Sequence, residues 1–387
     1  MFNFEFHKKK RFNQGLKKYA AEMKITHLEI YRLTIPMDPF VIATETLNSA
    51  NNIYIRIHTN TNITGVGECS PFPMLVGETQ DTCFHVGKAL AKILKDRNPL
   101  EINERMADLN AHIAYNTTIK SAFDMALHDI AAKQANLPLY AFLGGRKKII
   151  QTDVTIGIDT PNKMAETAKR YIKNGVQIIK IKLGKNDQQD VERVSHIRNA
   201  VGDGIRLRID ANQGWDFITA LETLNSIAKF NIEFCEQPMH TNLDPLLPEL
   251  KKKVPIQIMS DESVFDHYDA ERLLATDSCD FINIKLAKSG GIIEAMKIAD
   301  TAAFFQSTCM LGGMVESRMA LTANVHLAMA HENIKLYDLD TCLLGHLMDP
   351  TTKGVRFNNY FLELDDHPGI GADIDQEFLK GAEHITI

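Results

Sequence analysis

Eight polar or glycine positions recur at intervals of about 24 to 30 residues, each at or just past the C-terminal end of a short apolar run. They are Thr155, Lys180, Asp210, Glu236, Asp261, Lys285, the Gly312-Gly313 turn and Asp338, and the runs include IIKIK, LRID, IEFCE, IQIMSD, FINIK, TCML and KLYDLD. That interval is one βα unit, and short apolar strands alternating with helical segments imply a parallel sheet with crossover helices. A doubly wound sheet would alternate in the same way, but it would not gather six successive strand ends around one axis. The expectation is an α/β fold, a TIM-type (β/α)7β barrel whose functional residues stand on the C-terminal face, where strand ends converge and loops are free to vary.

Ahead of the barrel, from Ile25, the text alternates in strand fashion through ITHLEIYRLTIP, NIYIRIHTN and TNITGVGEC, which reads as a small antiparallel sheet. Helical patterns follow over about 81–94 and 119–135. The stretch 121–146 reads as an amphipathic helix with Ala126, Ile130 and Ala131 on one face, closed by Leu137-Pro138 and Gly144-Gly145. The chain then divides into an α+β capping domain over residues 25–148, the barrel over 149–345, and a tail over 346–387 that loses the βα rhythm and packs back on the cap. Residues 1–24 carry a basic cluster that reads as a solvated extension or a start-site artefact upstream of Met23, with no role assigned.

A length of 387 residues suits a barrel of about 250 residues plus a smaller domain. A net charge of −6 provides no general attraction to nucleic acid or to an anionic membrane, so a charged substrate must be recognised locally. No apolar run approaches the roughly 18 residues of a membrane span, and the first residues lack the apolar core of a secretory signal. The six cysteines contain no CxxC pair, which argues against a zinc knuckle and a disulfide framework and for reduced core thiols. A cytoplasmic enzyme acting on a small molecule is expected.

Asp210, Glu236 and Asp261 end three consecutive strands. Any one of them alone reads as an ordinary strand-end acid, but three converging carboxylates raise one another's pKa unless a hard divalent cation such as Mg²⁺ binds their oxygens. Lys180 and Lys182 are two apart on a strand and so face the barrel interior together. Their mutual repulsion, with partial burial and the metal close by, is expected to lower their pKa toward neutrality, as a general base requires. Counting Lys182 on strand two, Lys285 falls on strand six, across the axis. Lys182 and Lys285 can then approach one substrate carbon from opposite faces, one removing a proton and the other returning it, with the metal and Lys180 stabilising the enolate oxygens.

KIK at 180–182, RIDANQGW at 208–215, EQP at 236–238, SDES at 260–263, NIKLAKSGG at 283–291 and GVGECSPFP at 65–73 resemble the muconate-lactonising subgroup of the enolase superfamily. The resemblance runs from about Ile25 to the tail. Asp338 and Asp340, in KLYDLD, look like the DxD of the dipeptide epimerases, where two carboxylates hold the α-ammonium of the substrate. It implies one Mg²⁺ per subunit on Asp210, Glu236 and Asp261, acid/base roles for Lys182 and Lys285, and substrate contacts from Thr155, Lys180 and the backbone near Gly313. It further implies a dipeptide substrate, L-Ala-D/L-Glu of murein peptide being the commonest in the family, and a homo-oligomer. Epimerisation of hydrophobic or cationic L-Ala-X dipeptides, and cycloisomerase or o-succinylbenzoate synthase chemistry, are the alternatives, the last two disfavoured by the DxD.

One departure bears on the substrate. Where similar Ala-Glu enzymes carry an arginine in a capping loop, alignment of PFVIATETLNSANNIYIRI places Glu45, and no basic residue lies between Pro39 and Ile55. An acid there would repel a glutamate side chain. Residues 40–50 and 70–78 are expected to close over the substrate.

Overall fold

The computed structural model describes residues 23–185 and 187–387, so nearly all of the expected basic extension lies outside the described residues. Strands β1 (Ile25–Val41), β2 (Thr46–Thr59) and β3 (Thr64–Cys69) form an antiparallel sheet, with the tail strand His384–Thr386 on the free edge of β1. β1 and β2 run further than the alternating pattern marked, as a hairpin turning over 42–45, where Ile42 N–H donates to the Glu45 carbonyl. The sheet buries Ile25, Leu28, Ile30, Ile53, Ile55 and Ile57 against helices α1 (Gln80–Leu94), α2 (Ile102–His112) and α3 (Thr117–Gln134). α2 was not legible in the sequence, because Met106 and Leu109 are its only buried apolar residues and the periodic signal is thin.

The helix expected over 121–146 is corrected in two respects. It spans Thr117–Gln134, and it is buried all round, without a break from Thr118 to Ala132, rather than amphipathic. The cause is that α3 lies between two layers. On one side β3 approaches its backbone closely, since a Cβ at Gly67 would stand 1.9 Å from the Ala122 carbonyl oxygen. On the other, Asp124 accepts from Ile292 N–H, the first residue of a barrel helix.

Eight parallel strands follow: β4 (Val154–Ile156), β5 (Ile178–Lys182), β6 (Arg206–Asp210), β7 (Ile232–Glu236), β8 (Gln257–Ser260), β9 (Phe281–Ile284), β10 (Thr308–Gly312) and β11 (Ile334–Asp338). They hydrogen-bond in simple chain order from β4 to β11. The crossover helices are α4 (Pro161–Lys173), α5 (Asp187–Val201), α6 (Phe217–Ile227), α7 (Leu247–Lys253), α8 (His267–Ala275), α9 (Ile292–Phe304) and α10 (Arg318–Ala330), giving the expected (β/α)7β order. The barrel closes between first and last strands. Asp153 N–H donates to the Tyr337 carbonyl (3.4 Å), Leu339 N–H to Thr152 Oγ1 (2.8 Å) and Thr155 N–H to Asp340 Oδ2 (2.6 Å).

Phe234, Met259 and Met310 fill the interior below the strand ends, with Phe281 and Leu336 against them, so the barrel is a packed core and not a pore. Five of the six cysteines are buried, and all six are free thiols. The tail packs on α10 as well as on the cap: Arg318 donates to the Thr351 and Val355 carbonyls, while Arg56 of β2 holds Asp373 at 2.8 Å. Among the described residues no helix is long and apolar enough to cross a membrane.

Cap and barrel are joined by a buried carboxylate. Glu68 of β3 accepts from Ser317 N–H (2.8 Å), from the Ser317 hydroxyl and from Asn52 Nδ2 (2.7 Å), at the positive N-terminal end of α10. Glu68→Ala leaves these donors without an acceptor where water cannot reach, and should cost about 2–4 kcal/mol of stability. Urea unfolding measures this, and a loss below about 1 kcal/mol would show that apolar packing alone holds the cap in place.

Candidate active site

Period-two alternation turns Lys180 and Lys182 of β5 inward, as it does Arg208 and Asp210 of β6. Lys180 Nζ lies 2.6 Å from Glu236 Oε2, 2.7 Å from Asp338 Oδ2 and 3.1 Å from Asp210 Oδ2. Lys182 Nζ lies 2.6 Å from Asp210 Oδ2, and Lys285 Nζ lies 2.7 Å from Asp261 Oδ2. β5 and β9 are four apart in an eight-stranded order, so Lys182 and Lys285 stand across the axis from each other, as the strand count implied.

For the protein's own groups, the electrostatics of Lys180 and Lys285 run opposite to the lowering expected with a metal close by. Burial disfavours the charge on Lys180, but Asp338, Glu236 and Asp210 outweigh it and hold the group well above its ordinary value. Burial likewise opposes the charge on Lys285, which Asp261 and Glu236 raise. The reason is distance, for each ammonium touches carboxylates. Among the acids the effects diverge. Burial, then Asp210, pushes Glu236 up to about 7, with Lys180 opposing. Asp261 is held well below the carboxylate range, because Lys285 and Lys288 outweigh its burial.

The three strand-end acids share one arrangement. Each has one oxygen anchored by a donor behind it: Asn212 N–H to Asp210 Oδ1 (2.9 Å), Asn283 Nδ2 to Glu236 Oε1 (2.8 Å) and Lys288 Nζ to Asp261 Oδ1 (2.7 Å). The other oxygen of each faces a lysine of the site. Glu236 Oε2 and Asp261 Oδ2 have that ionic neighbour but accept no well-aligned hydrogen bond. Fixed carboxylates, each with its second oxygen turned inward to a cation, suit a hard divalent ion, which would relieve the crowding that raises Glu236.

Asn283 and Lys288 were not anticipated. Asn283 sits two residues before Lys285 and was open to the same inward-facing argument, whereas Lys288 follows the strand and carried no periodic signal. Gly312 belongs to this support, since a Cβ there would stand 2.8 Å from Asn283 Oδ1.

The cavity above has a polar floor of Thr155, Lys182, Asn212, Glu262, Lys285, Gly313, Asp338, Asp340 and Thr341. Its remaining wall is apolar: Phe40, Ile42 and Leu47 from the hairpin, Phe72 and Leu75 from the cap, and Met314, Val315 and Leu344 from barrel loops. Lys180, Asp210, Glu236 and Asp261 lie beneath this floor, so the structure puts Lys180 among the acids and not on the cavity wall. Glu45 is off the wall too. It lines a neighbouring hollow with Leu47 and Phe72, where burial pushes its carboxyl up and its Oε1 has no hydrogen-bond partner. The cations on the wall are Lys182 and Lys285.

Residues 25–144 match the N-terminal domain of mandelate racemase / muconate lactonizing enzyme, and residues 163–378 match the enolase C-terminal domain-like family. The chain belongs to the mandelate racemase / muconate lactonizing enzyme family. Among its relatives, D-Ala-D/L-Ala epimerase of Cytophaga hutchinsonii is 45% identical, covering 94% of this chain and 100% of the relative. L-Ala-D/L-Glu epimerase of Clostridium acetobutylicum is 36% identical over 91% of this chain and 99% of its own. The crystal structure of the Cytophaga hutchinsonii dipeptide epimerase, complexed with Mg and D-Ala-L-Val, superposes with a TM-score of 0.93 at 45% identity, covering 94% of this chain and all of that one. The chain is thus an isomerase of the enolase superfamily, as its motifs implied.

For a family member stripped of divalent ions, the buried acids set a pH dependence of stability. Glu236 and Asp340 are pushed up to about 7 and Glu262 to about 8, chiefly by burial and then by neighbouring carboxylates. A raised carboxyl keeps its proton in the folded state after the unfolded chain has released it, so its contribution is full below about pH 4.5 and is lost as pH climbs through 7 to 8. The melting temperature in chelator should fall by about 5 °C or more between pH 5 and pH 8. A flat or rising profile in a calorimetric series would show that these acids are not protonated in the fold.

Proposed function

We propose that this protein is a Mg²⁺-dependent dipeptide epimerase that inverts the α-carbon of the C-terminal residue of small, apolar dipeptides. The observation that carries the reading is the cavity itself, in which two lysines face each other across a floor ending in the Asp338–Asp340 pair, beneath an otherwise apolar wall. Asp210, Glu236 and Asp261 would hold the ion, which when bound supplies Lewis-acid stabilisation of the enolate.

The remaining work falls to the chain's own side chains. Asp338 and Asp340 accept the substrate's α-ammonium, a charge-assisted contact that a muconate or succinylbenzoate would leave unmade. Thr155 and the backbone at Gly313 border the bound dipeptide. Lys182 and Lys285 exchange the proton at the α-carbon, one as amine base on one face and the other as ammonium acid on the opposite face. Their carboxylate partners are the same oxygens a cation would engage. Once Asp210 and Asp261 are engaged elsewhere, the ammonium form loses its support and the amine becomes accessible. Lys180, between Asp210, Glu236 and Asp338, holds positive charge beneath the developing enolate.

The side chain of the inverted residue meets Phe40, Ile42, Leu47 and Phe72. A glutamate would need a cation there, and Lys182 and Lys285 are committed to the α-carbon. Small apolar residues therefore fit better than the glutamate of L-Ala-D/L-Glu, in keeping with the alanine and valine named for the Cytophaga hutchinsonii relative.

Proton-exchange NMR in D₂O with Mg²⁺, on Ala-Ala, Ala-Val, Ala-Glu and Ala-Lys with either configuration of the first residue, tests this. Deuterium should enter the second α-carbon of Ala-Ala and Ala-Val fastest. Faster exchange into Ala-Glu would return the murein peptide to first place, and no exchange into any dipeptide would sink the epimerase assignment. Lys182→Ala and Lys285→Ala should each lower epimerisation by about 10²–10⁴-fold. Full activity in either variant would rule out the two-base scheme.

A further inference from the structure

A third carboxyl lies beneath the Asp338–Asp340 pair, outside the chemistry described so far. Asp153 directly precedes β4 and shares the inward side of that strand with Thr155, two residues on. It is fully buried and does not line the cavity. One of its oxygens lies within 4.8 Å of oxygens of both Asp338 and Asp340. Oδ2 accepts from Arg208 Nη1 at 2.8 Å, while Oδ1 is buried with no hydrogen-bond partner.

The cations nearby do not balance these acids. Arg208 divides its charge between Asp153 and Glu233, its Nε donating to Glu233 Oε2 at 2.7 Å. Lys180 divides its charge among Asp338, Glu236 and Asp210. Asp340 is held by the Thr155 N–H, a neutral donor. With all three acids ionised the corner would carry more negative charge than its two buried cations offset, in a place shielded from bulk counterions; burial, then Asp338, accordingly pushes both Asp153 and Asp340 up. In each of the three acids Oδ2 is already taken by a donor, Lys180, Thr155 or Arg208. What is lacking is a further compact positive charge with several N–H groups, which describes a primary ammonium.

We infer that Asp153 is a positioning residue for substrate selection: as a third buried carboxyl beside Asp338 and Asp340, it makes this corner prefer a protonated α-amine, whose charge lets the acids ionise together, over an acylated nitrogen. The inference rests on the dipeptide reading above and deepens it. Asp153 touches no reacting atom, so its removal should weaken binding of the amine and leave proton transfer intact.

The test compares wild type and Asp153→Asn with Mg²⁺ on two ligands, L-Ala-L-Val as substrate and N-acetyl-L-Ala-L-Val as competitor. Asn keeps an acceptor for Arg208 and removes the charge. The KM for the free dipeptide should rise about tenfold with kcat within about twofold, and the inhibition constant of the acetylated peptide should stay level or fall. An unchanged KM would overturn the inference, as would KM and inhibition constant rising together, which is what a merely loosened site produces. If Asp153→Asn does not fold, Asp153→Ser, which is smaller and keeps a hydroxyl as acceptor for Arg208, removes the same carboxyl and carries the same comparison. Calorimetric titration with Mg²⁺ alone that found two sites in wild type and one in the variant would make the corner a metal site and also overturn it. Normal wild-type turnover with unaltered selectivity in the variant defeats this inference only, whereas a wild type inert toward every dipeptide defeats the dipeptide reading and this inference with it.

Discussion

The structure turns on an excess of buried carboxyls over buried cations at the mouth of one barrel. Asp153, Asp210, Glu236, Asp261, Glu262, Asp338 and Asp340 are all buried there, against Lys180, Lys182, Lys285, Lys288 and Arg208. Desolvating so much charge is costly unless every group finds partners, and the arrangement shows how the cost is contained. Lysines are shared, the Asn212 N–H, Asn283 Nδ2 and Lys288 Nζ take the anchored oxygens, and several acids are pushed toward neutrality instead of staying ionised. What remains unbalanced lies in two places: the inner oxygens of the three strand-end acids, and the corner at Asp338 and Asp340. Those are the places where the proposed chemistry brings positive charge, a divalent ion in one and the substrate's ammonium in the other. The electrostatic deficit of these side chains and the charge of the proposed ligands are complementary.

Anchoring only one oxygen of each triad acid is a structural device in its own right. A carboxylate held at both oxygens could not turn to a cation, and one held at neither would lose entropy on binding. Asn212, Asn283 and Lys288 fix orientation from behind, so the free oxygens are presented without reorganisation. The inner oxygens also explain why Lys180 and Lys285 are strongly basic in the fold: each ammonium lies against carboxylates. Their basicity belongs to the state of those carboxylates, contacts that the spacing of Lys180 and Lys182 in the sequence does not reveal.

How far the sequence could be read follows from which signals are periodic. Strand ends at one βα interval specified the barrel, its eight strands and the inward facing of Lys180, Lys182, Asp210, Glu236 and Lys285, since alternation and spacing are local rules. The support behind the site was less visible. Lys288 lies past a strand end, and Asp153 and Arg208 meet only because β4, β6 and β11 are brought together by closure of the barrel. α3 was misjudged as amphipathic for a related reason: a helix with the cap sheet on one face and barrel elements on the other has no polar side to reveal it.

The division of labour between the two domains follows from the same geometry. The barrel supplies the groups that handle charge, all from strand ends whose positions are fixed by the β ladder. The cap supplies Phe40, Ile42, Leu47, Phe72 and Leu75, carried on a hairpin and a loop whose sequence can change without disturbing that ladder. Glu68, at the N-terminus of α10, fixes where this apolar wall stands relative to the charged floor. Specificity for the side chain can therefore drift in the cap while proton transfer stays in the barrel, and related enzymes named for alanine and glutamate dipeptides can share one charged floor. Glu45 illustrates the point. Its carboxyl lies in a neighbouring hollow outside the cavity, and the cations on the cavity wall, Lys182 and Lys285, both come from the barrel.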